Sequence, residues 1–288
     1  MRNNITKKRT KWIFLFSFIF TIITIFILLF VISSSFMSMS EIQFRYGAVD
    51  TGNNMEQYAN YKFFPNKITL EQYKVAFWLT SDFWYYFQNS LKICIPILIG
   101  TVTISTLGAY GFAIYRFKGN KILFRIMVLI MMLPYQILLI PQFVAMSKLN
   151  LLNQNISVVL PNIFGPFGCF LMYQFIKKIP YEIIESARVD GANERKIFTK
   201  IMLPQIRNGI FSLIILNVID TWNLIEQPLL FLNDKFKYPL SLAVSSFSND
   251  GGLVMFSCCV MFTIPVAFLF LHCKEYLVTG IKESVIRK

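Results

Sequence analysis

No charged side chain falls between Lys11 and Glu41, and within that gap Trp12 to Ile32 is apolar apart from Ser17, Thr21 and Thr24. A helix of roughly 20 apolar residues is long enough to cross the hydrocarbon core of a bilayer. A secretory leader has an apolar core of roughly 7–15 residues, shorter than this run, so the segment reads as a span that stays. Charge-free runs recur between Lys92 and Arg116, Arg125 and Lys148, Lys148 and Lys177, and Asp250 and Lys274. One further run, Asn208 to Ile219, is too short to span alone, so either Ile201–Leu203 or residues 220–232 must also lie at membrane depth. With 55% apolar residues and a mean hydropathy of +0.54 over 288 residues, the chain is too apolar for a soluble domain of its length. These runs imply an all-α polytopic membrane protein with six transmembrane helices. Its parts are a cytoplasmic N-terminus and first span (1–32), an extracytoplasmic loop (33–88) and a core of five further spans (89–288).

Several breaks can be placed from residue type. Pro65 to Phe77 reads as a turn and a short amphipathic helix, and Asn89-Ser90 as the N-cap of the second span. Gly100, Gly108, Ala109 and Gly111 are small enough to let helices approach closely. Pro134 and Pro141 are expected to kink or end the third span. Pro161, Gly165, Pro166 and Gly168 place the fourth in the packed interior, where neighbours can satisfy freed backbone groups. The cysteines, Cys94, Cys169, Cys258, Cys259 and Cys273, sit in apolar runs without metal-ligand spacing and read as small buried side chains.

The net charge of +13 is informative only by location. Five basic residues precede the first span, four lie between the second and third, seven run from Lys177 to Arg207, and four lie from Lys274 onward. The opposite side carries seven, with Lys92 at a boundary. Because Lys and Arg concentrate on cytoplasmic loops, both termini are assigned to the cytoplasm. The excess charge then marks membrane orientation, with no call for a nucleic acid.

That orientation places a charged stretch, Pro180 to Pro204, in the cytoplasm between two spans. Pro180 suits a first helical turn, and Ile183, Ile184 and Ala187 share one face. Asp190 can cap a second short helix while Gly191 takes the positive φ of a reversal. Ile197, Phe198, Ile201 and Met202 make a second apolar stripe, ended by Pro204. A bent, amphipathic, exposed segment of this kind fits a docking lever.

The residues from 185 to 204, ESARVDGANERKIFTKIMLP, resemble the EAA signature of permease subunits of ATP-binding-cassette importers. Glu185, Ala187, Asp190, Gly191, Ala192, Phe198, Leu203 and Pro204 match the pattern, and Ser186 stands where it has Ala. KITLEQYKVAF, AYGFAIYRFKGN, MLPYQILLIPQF, PFGCFLMYQFIKKIP, TWN and EYLVTGIKESVIRK, in that order, are similar to the shorter, MalG-like permease of carbohydrate importers. The resemblance covers nearly the whole chain. It implies that Glu185, Ser186, Ala187, Asp190, Gly191, Ala192 and Phe198 form a coupling helix that docks on a cytoplasmic ATPase dimer. Glu185 and Asp190 would supply polar contacts or caps, the small residues a thin face, and Ile197 with Phe198 the anchor to the spans. It also implies a second homologous permease subunit and an extracytoplasmic sugar-binding protein, in the membrane of a bacterial cell. No G-x-x-x-x-G-K-[ST] loop occurs, so this chain binds no ATP of its own, needs no cofactor and is not an enzyme.

For the substrate path, polar groups at membrane depth are the candidates: Asn162, Gln174, Asn217, Asp220, Trp222, Asn223, Glu226 and Gln227. Trp222 beside amides suits a sugar, but an interfacial tryptophan with amides that cap helix ends is the more ordinary reading of the same residues. Where the family often has Ser-Trp-Asn-Glu, this chain reads Thr-Trp-Asn-Leu. An intramembrane protease lacks its groups here: His272 is the sole histidine and no G-x-S-x-G occurs. An ion-coupled secondary transporter and an importer of a non-sugar solute remain the alternative readings, and no internal repeat supports the former.

Overall fold

The computed structural model describes residues 2–46, 62–79, 82–244 and 253–285. Among them every regular element is helical. The helices are α1 (Arg2–Ser34), α2 (Met39–Tyr46), α3 (Glu71–Lys74, continued by a π turn to Leu79), α4 (Asp82–Ile114) and α5 (Asn120–Met131). Next come α6 (Tyr135–Lys148), α7 (Asn155–Ile163), α8 (Pro166–Ile176) and α9 (Tyr181–Val189). The last are α10 (Glu194–Gln205), α11 (Arg207–Trp222), α12 (Glu226–Phe231), α13 (Leu240–Ala243) and α14 (Met255–Val285).

Four stretches are long and apolar enough to span singly: Trp12–Ser34, Phe83–Ile114, Asn155–Ile176 and Met255–Cys273. The third and fifth spans expected from the sequence are bent pairs. α5 and α6 meet at 107°, and α10 and α11 at 72°. Counting each pair as one span gives six. Pro134 is the residue just before α6, where its lack of an N–H is harmless. Pro141, expected to act likewise, is carried inside α6.

By packing, the chain parts into two compact units. In the first, Met1–Trp84 with Val244–Thr263, the end of α1 is tied down by residues 66–72. Buried Gln72 donates its amide to the carbonyls of Ser34 (2.8 Å) and Met37 (2.9 Å), at and just past the end of α1. Asn66 N–H donates to Glu41 Oε1 at 2.9 Å, and Glu41 is paired with Arg45. The expected short helix after Pro65 is α3 and its π turn. Residues 12–29 of α1 present exposed Phe, Ile and Leu side chains, the composition of a lipid-facing helix.

The second unit is Tyr85–Ala243 with Ile264–Lys288. Its larger core joins α4 (Ala109, Tyr110, Ile114), α8 (Met172, Phe175, Ile176), α9 (Ile184, Ala187) and α10 (Ile197, Met202). A second core packs Ile93, Ile97, Val158, Val159 and Phe231. α8 is central because Gly168 lets it touch its neighbours. A Cβ there would stand 2.3 Å from Ser105 Oγ and 3.3 Å from Leu213 Cδ1. Gly209 of α11 plays the matching part, with the Phe175 ring 2.6 Å from the position of an added Cβ. Gly111, read as a packing glycine, has nothing within 4 Å of that position.

The expected cap at Asn89-Ser90 is corrected. α4 begins at Asp82, seven residues earlier, so the 88/89 boundary falls inside a helix. Both residues are buried in mid-helix, and they hold another segment. Asn89 donates to the carbonyls of Phe236 (2.6 Å) and Tyr238 (3.2 Å), and Ser90 Oγ accepts from Leu240 N–H (2.8 Å). A side chain that satisfies the backbone of a neighbouring segment serves the same need as one that caps its own helix, which is why the two are confused in sequence. All five cysteines are free thiols, with Cys94, Cys169 and Cys258 buried.

Candidate functional site

The 180–205 segment folds as two helices joined at Gly191, whose φ is +77°. Positive φ suits glycine because other residues pay for the Cβ contact. α9 turns Ile184 and Ala187 into the core and leaves Glu182, Glu185, Ser186 and Val189 exposed. Ala187 therefore does not thin the outward face; its small side chain lets α9 lie close on the core. Val189, which sequence reasoning passed over, is 87% exposed and gives that face an apolar tip. Asp190 and Gly191 are exposed and Ala192 is half-buried. Asp190 does not cap α10. Asn193 does, its Oδ1 accepting from Lys196 N–H at 2.9 Å, since it is the residue in extended conformation next to the first turn.

Buried Ile197 and Met202 are five apart and share a face because this stretch of α10 is a π-helix. Phe198 meets Tyr110 of α4 edge-to-face at 5.1 Å. The helix ends at Gln205, one residue past Pro204, and the chain bends at Ile206.

A polar cluster unforeseen from sequence fixes this loop to α4. Glu194 accepts from Tyr110 (2.9 Å) and Tyr115 (2.8 Å) through Oε2, and from Arg188 Nε (3.0 Å) through Oε1. Arg188 also donates to Tyr181 at 3.1 Å. Burial alone raises the Glu194 pKa, but the donors Tyr115, Tyr110 and Arg188 outweigh it and hold the carboxyl below its ordinary value.

The substrate-path candidates separate. Asn162, Glu226 and Gln227 converge with residues of α6. Gln227 is fully buried and accepts from Asn162 (2.5 Å) and Tyr135 (3.3 Å), while its amide donates to Gln142 (3.2 Å). Exposed Glu226 accepts from Gln136 at 3.2 Å. Tyr135, Gln136 and Gln142 were missed, although a polar group in an apolar run is itself the signal. Among the described residues no hydrogen bond joins Gln174, Asn217 or Asp220 to this group. Asn217 Oδ1 is buried without a partner, and Asp220 is exposed. Trp222 is 3% exposed with its ring edge-to-face on Phe87 at 5.8 Å, so it is a core side chain and no stacking platform. Asn223 donates to Ile219 O at 2.8 Å and closes the end of α11.

Residues 104–283 match the family described as binding-protein-dependent transport system inner membrane component. The chain belongs to that family. Among curated members of known description, the chain is 32% identical over 229 residues to the arabinooligosaccharides transport system permease protein AraQ of Halalkalibacterium halodurans. That match covers 78% of this chain and 82% of the relative. It is 31% identical to the lactose transport system permease protein LacG of Rhizobium radiobacter, over 73% of this chain and 78% of that one. In fold it is similar to a chain from the crystal structure of a bacterial ABC transporter involved in alginate import. The TM-score is 0.76 at 21% identity, with 91% and 94% of the two chains covered. As an inner membrane component of this family, the protein is a multi-pass permease of an ABC importer and not an enzyme.

Proposed function

We propose that the chain forms half of a translocation path for a sugar or oligosaccharide, and that its 180–205 loop receives the stroke of a separate ATPase dimer. The observation that carries this reading is the shape of the loop. Two helices are joined at a positive-φ glycine, with Ile184, Ala187, Ile197 and Met202 locked in the core beneath. Glu185, Ser186, Val189 and Asp190 stand outward above them. A lever must be stiff on the side that moves the spans and accessible on the side that is pushed, and both conditions are met. The sugar reading rests on the arabinooligosaccharide and lactose systems of its relatives. The loop is assigned to the cytoplasm by the distribution of Lys and Arg. A second permease completes the path, and an external binding protein delivers the solute.

Gly191→Pro tests the lever, because proline is confined to φ near −65°. Uptake of radiolabelled arabinooligosaccharides, lactose or whichever sugar the binding protein selects from a panel is expected to fall to background. The amount of chain inserted in the membrane should stay unchanged. Normal uptake by that variant would overturn the coupling role of the loop.

A further inference from the structure

The turn between α4 and α5 encloses an open cavity of about 750 Å³. Arg116, Lys121 and Arg125 line it together with Tyr115, Phe117 and Tyr173, and no acidic residue contributes. All three cations are exposed, and among the described residues none makes an ion pair. A fourth, Lys177, sits over the Tyr173 ring at 5.4 Å. Placing Lys and Arg on this side of the membrane requires only that they be present; gathering three of them around one concavity does more. Like charges around one cavity repel, and an anion between them removes the repulsion.

The cavity has an apolar continuation. A groove of about 400 Å³ shares Phe112 with it and runs between α4, α5 and α8. Its walls include Ile104, Gly108, Leu123, Ile126, Met127 and Ile130. Gly108 keeps it open, and no residue of α5 is buried. A cationic mouth at the end of an apolar slot, at the tip of a membrane helix, is complementary to an anionic phospholipid. A free phosphate or sugar phosphate would use the mouth and leave the slot without purpose.

We propose that this cavity and groove together bind one anionic phospholipid. Its phosphate lies among Arg116, Lys121 and Arg125, and one acyl chain lies along Leu123, Ile126 and Ile130. Such a lipid would fill the space beside the α4–α5 turn and screen its cations.

The test uses the full chain purified in the transport complex it forms, with native mass spectrometry reading lipid retained after exchange into nanodiscs. Phosphatidylglycerol is expected to be retained over phosphatidylcholine. The R116Q/K121Q/R125Q variant should retain it at least about tenfold less, while R116K/K121R/R125K, which keeps the charge, retains it. Gly108→Leu, which fills the slot, should weaken retention of phosphatidylglycerol as well. Three results would each overturn the proposal: undiminished retention by the glutamine variant, displacement of the lipid by inorganic phosphate, and near-complete crosslinking of Ile126→Cys to another protein chain. The second would make the mouth a site for free anions, and the third would make the groove a protein interface.

Discussion

Glu194 gathers two phenols and a guanidinium onto one carboxylate, and that has a consequence for pH. Its folded pKa is depressed, so the cluster's contribution to stability is fully present above the ordinary carboxyl value of 4.5 and is lost as pH falls through the lower, folded value. Thermal unfolding in detergent is expected to separate the wild type from Glu194→Gln at pH 7 and pH 6, with the wild type higher. The gap should close once the solution is well below pH 4.5. A gap that persisted unchanged in acid would mean that the carboxylate charge is not what the cluster uses. Residues like this one are hard to see in a sequence, because Tyr110 and Glu194 are 84 positions apart and neither is unusual alone. Gly191 is the opposite case. Its neighbour Asp190 and the flanking apolar stripes marked a reversal, and the backbone adopts one there.

At the scale of helices, close approach is decided by which way a glycine points. Gly209→Ala would drive a Cβ into the Phe175 ring, and overpacking of this kind costs about 1–3 kcal/mol. Gly111→Ala meets nothing and removes a flexible residue from a helix, a gain of about 0.5–1 kcal/mol. Unfolding midpoints in detergent should therefore move down for the first and up for the second; two changes of the same sign would contradict the packing described. Composition alone pointed to Gly100, Gly108 and Gly111 and passed over Gly209, since residue type says that two helices can approach but not which face does. Element existence was legible because charge-free runs report burial in lipid directly. The breaks were less so. Proline marked the 107° bend at residues 132–134 and stands two residues before the 72° bend at Ile206, yet Pro141 sits in a helix that continues.

For the whole molecule, the two bent pairs decide the topology. If α5–α6 and α10–α11 each cross the bilayer, six spans place the 149–154 turn and the turn at 190–193 on opposite faces, the second of them cytoplasmic. If each pair dips in and returns, only four spans remain. The 116–119 and 149–154 turns then share a side, and the 180–205 loop emerges away from the cytoplasm with seven basic residues from Lys177 to Arg207. That arrangement contradicts the distribution of Lys and Arg and separates the loop from any source of ATP. A cysteine-free background carrying either Asn150→Cys or Asp190→Cys distinguishes them, since both positions are exposed. In intact cells a membrane-impermeant maleimide is expected to label the first and not the second. After permeabilisation it should label both. Protection of Asn150→Cys in intact cells would return the count to four spans and remove the ground on which the 180–205 loop meets an ATPase.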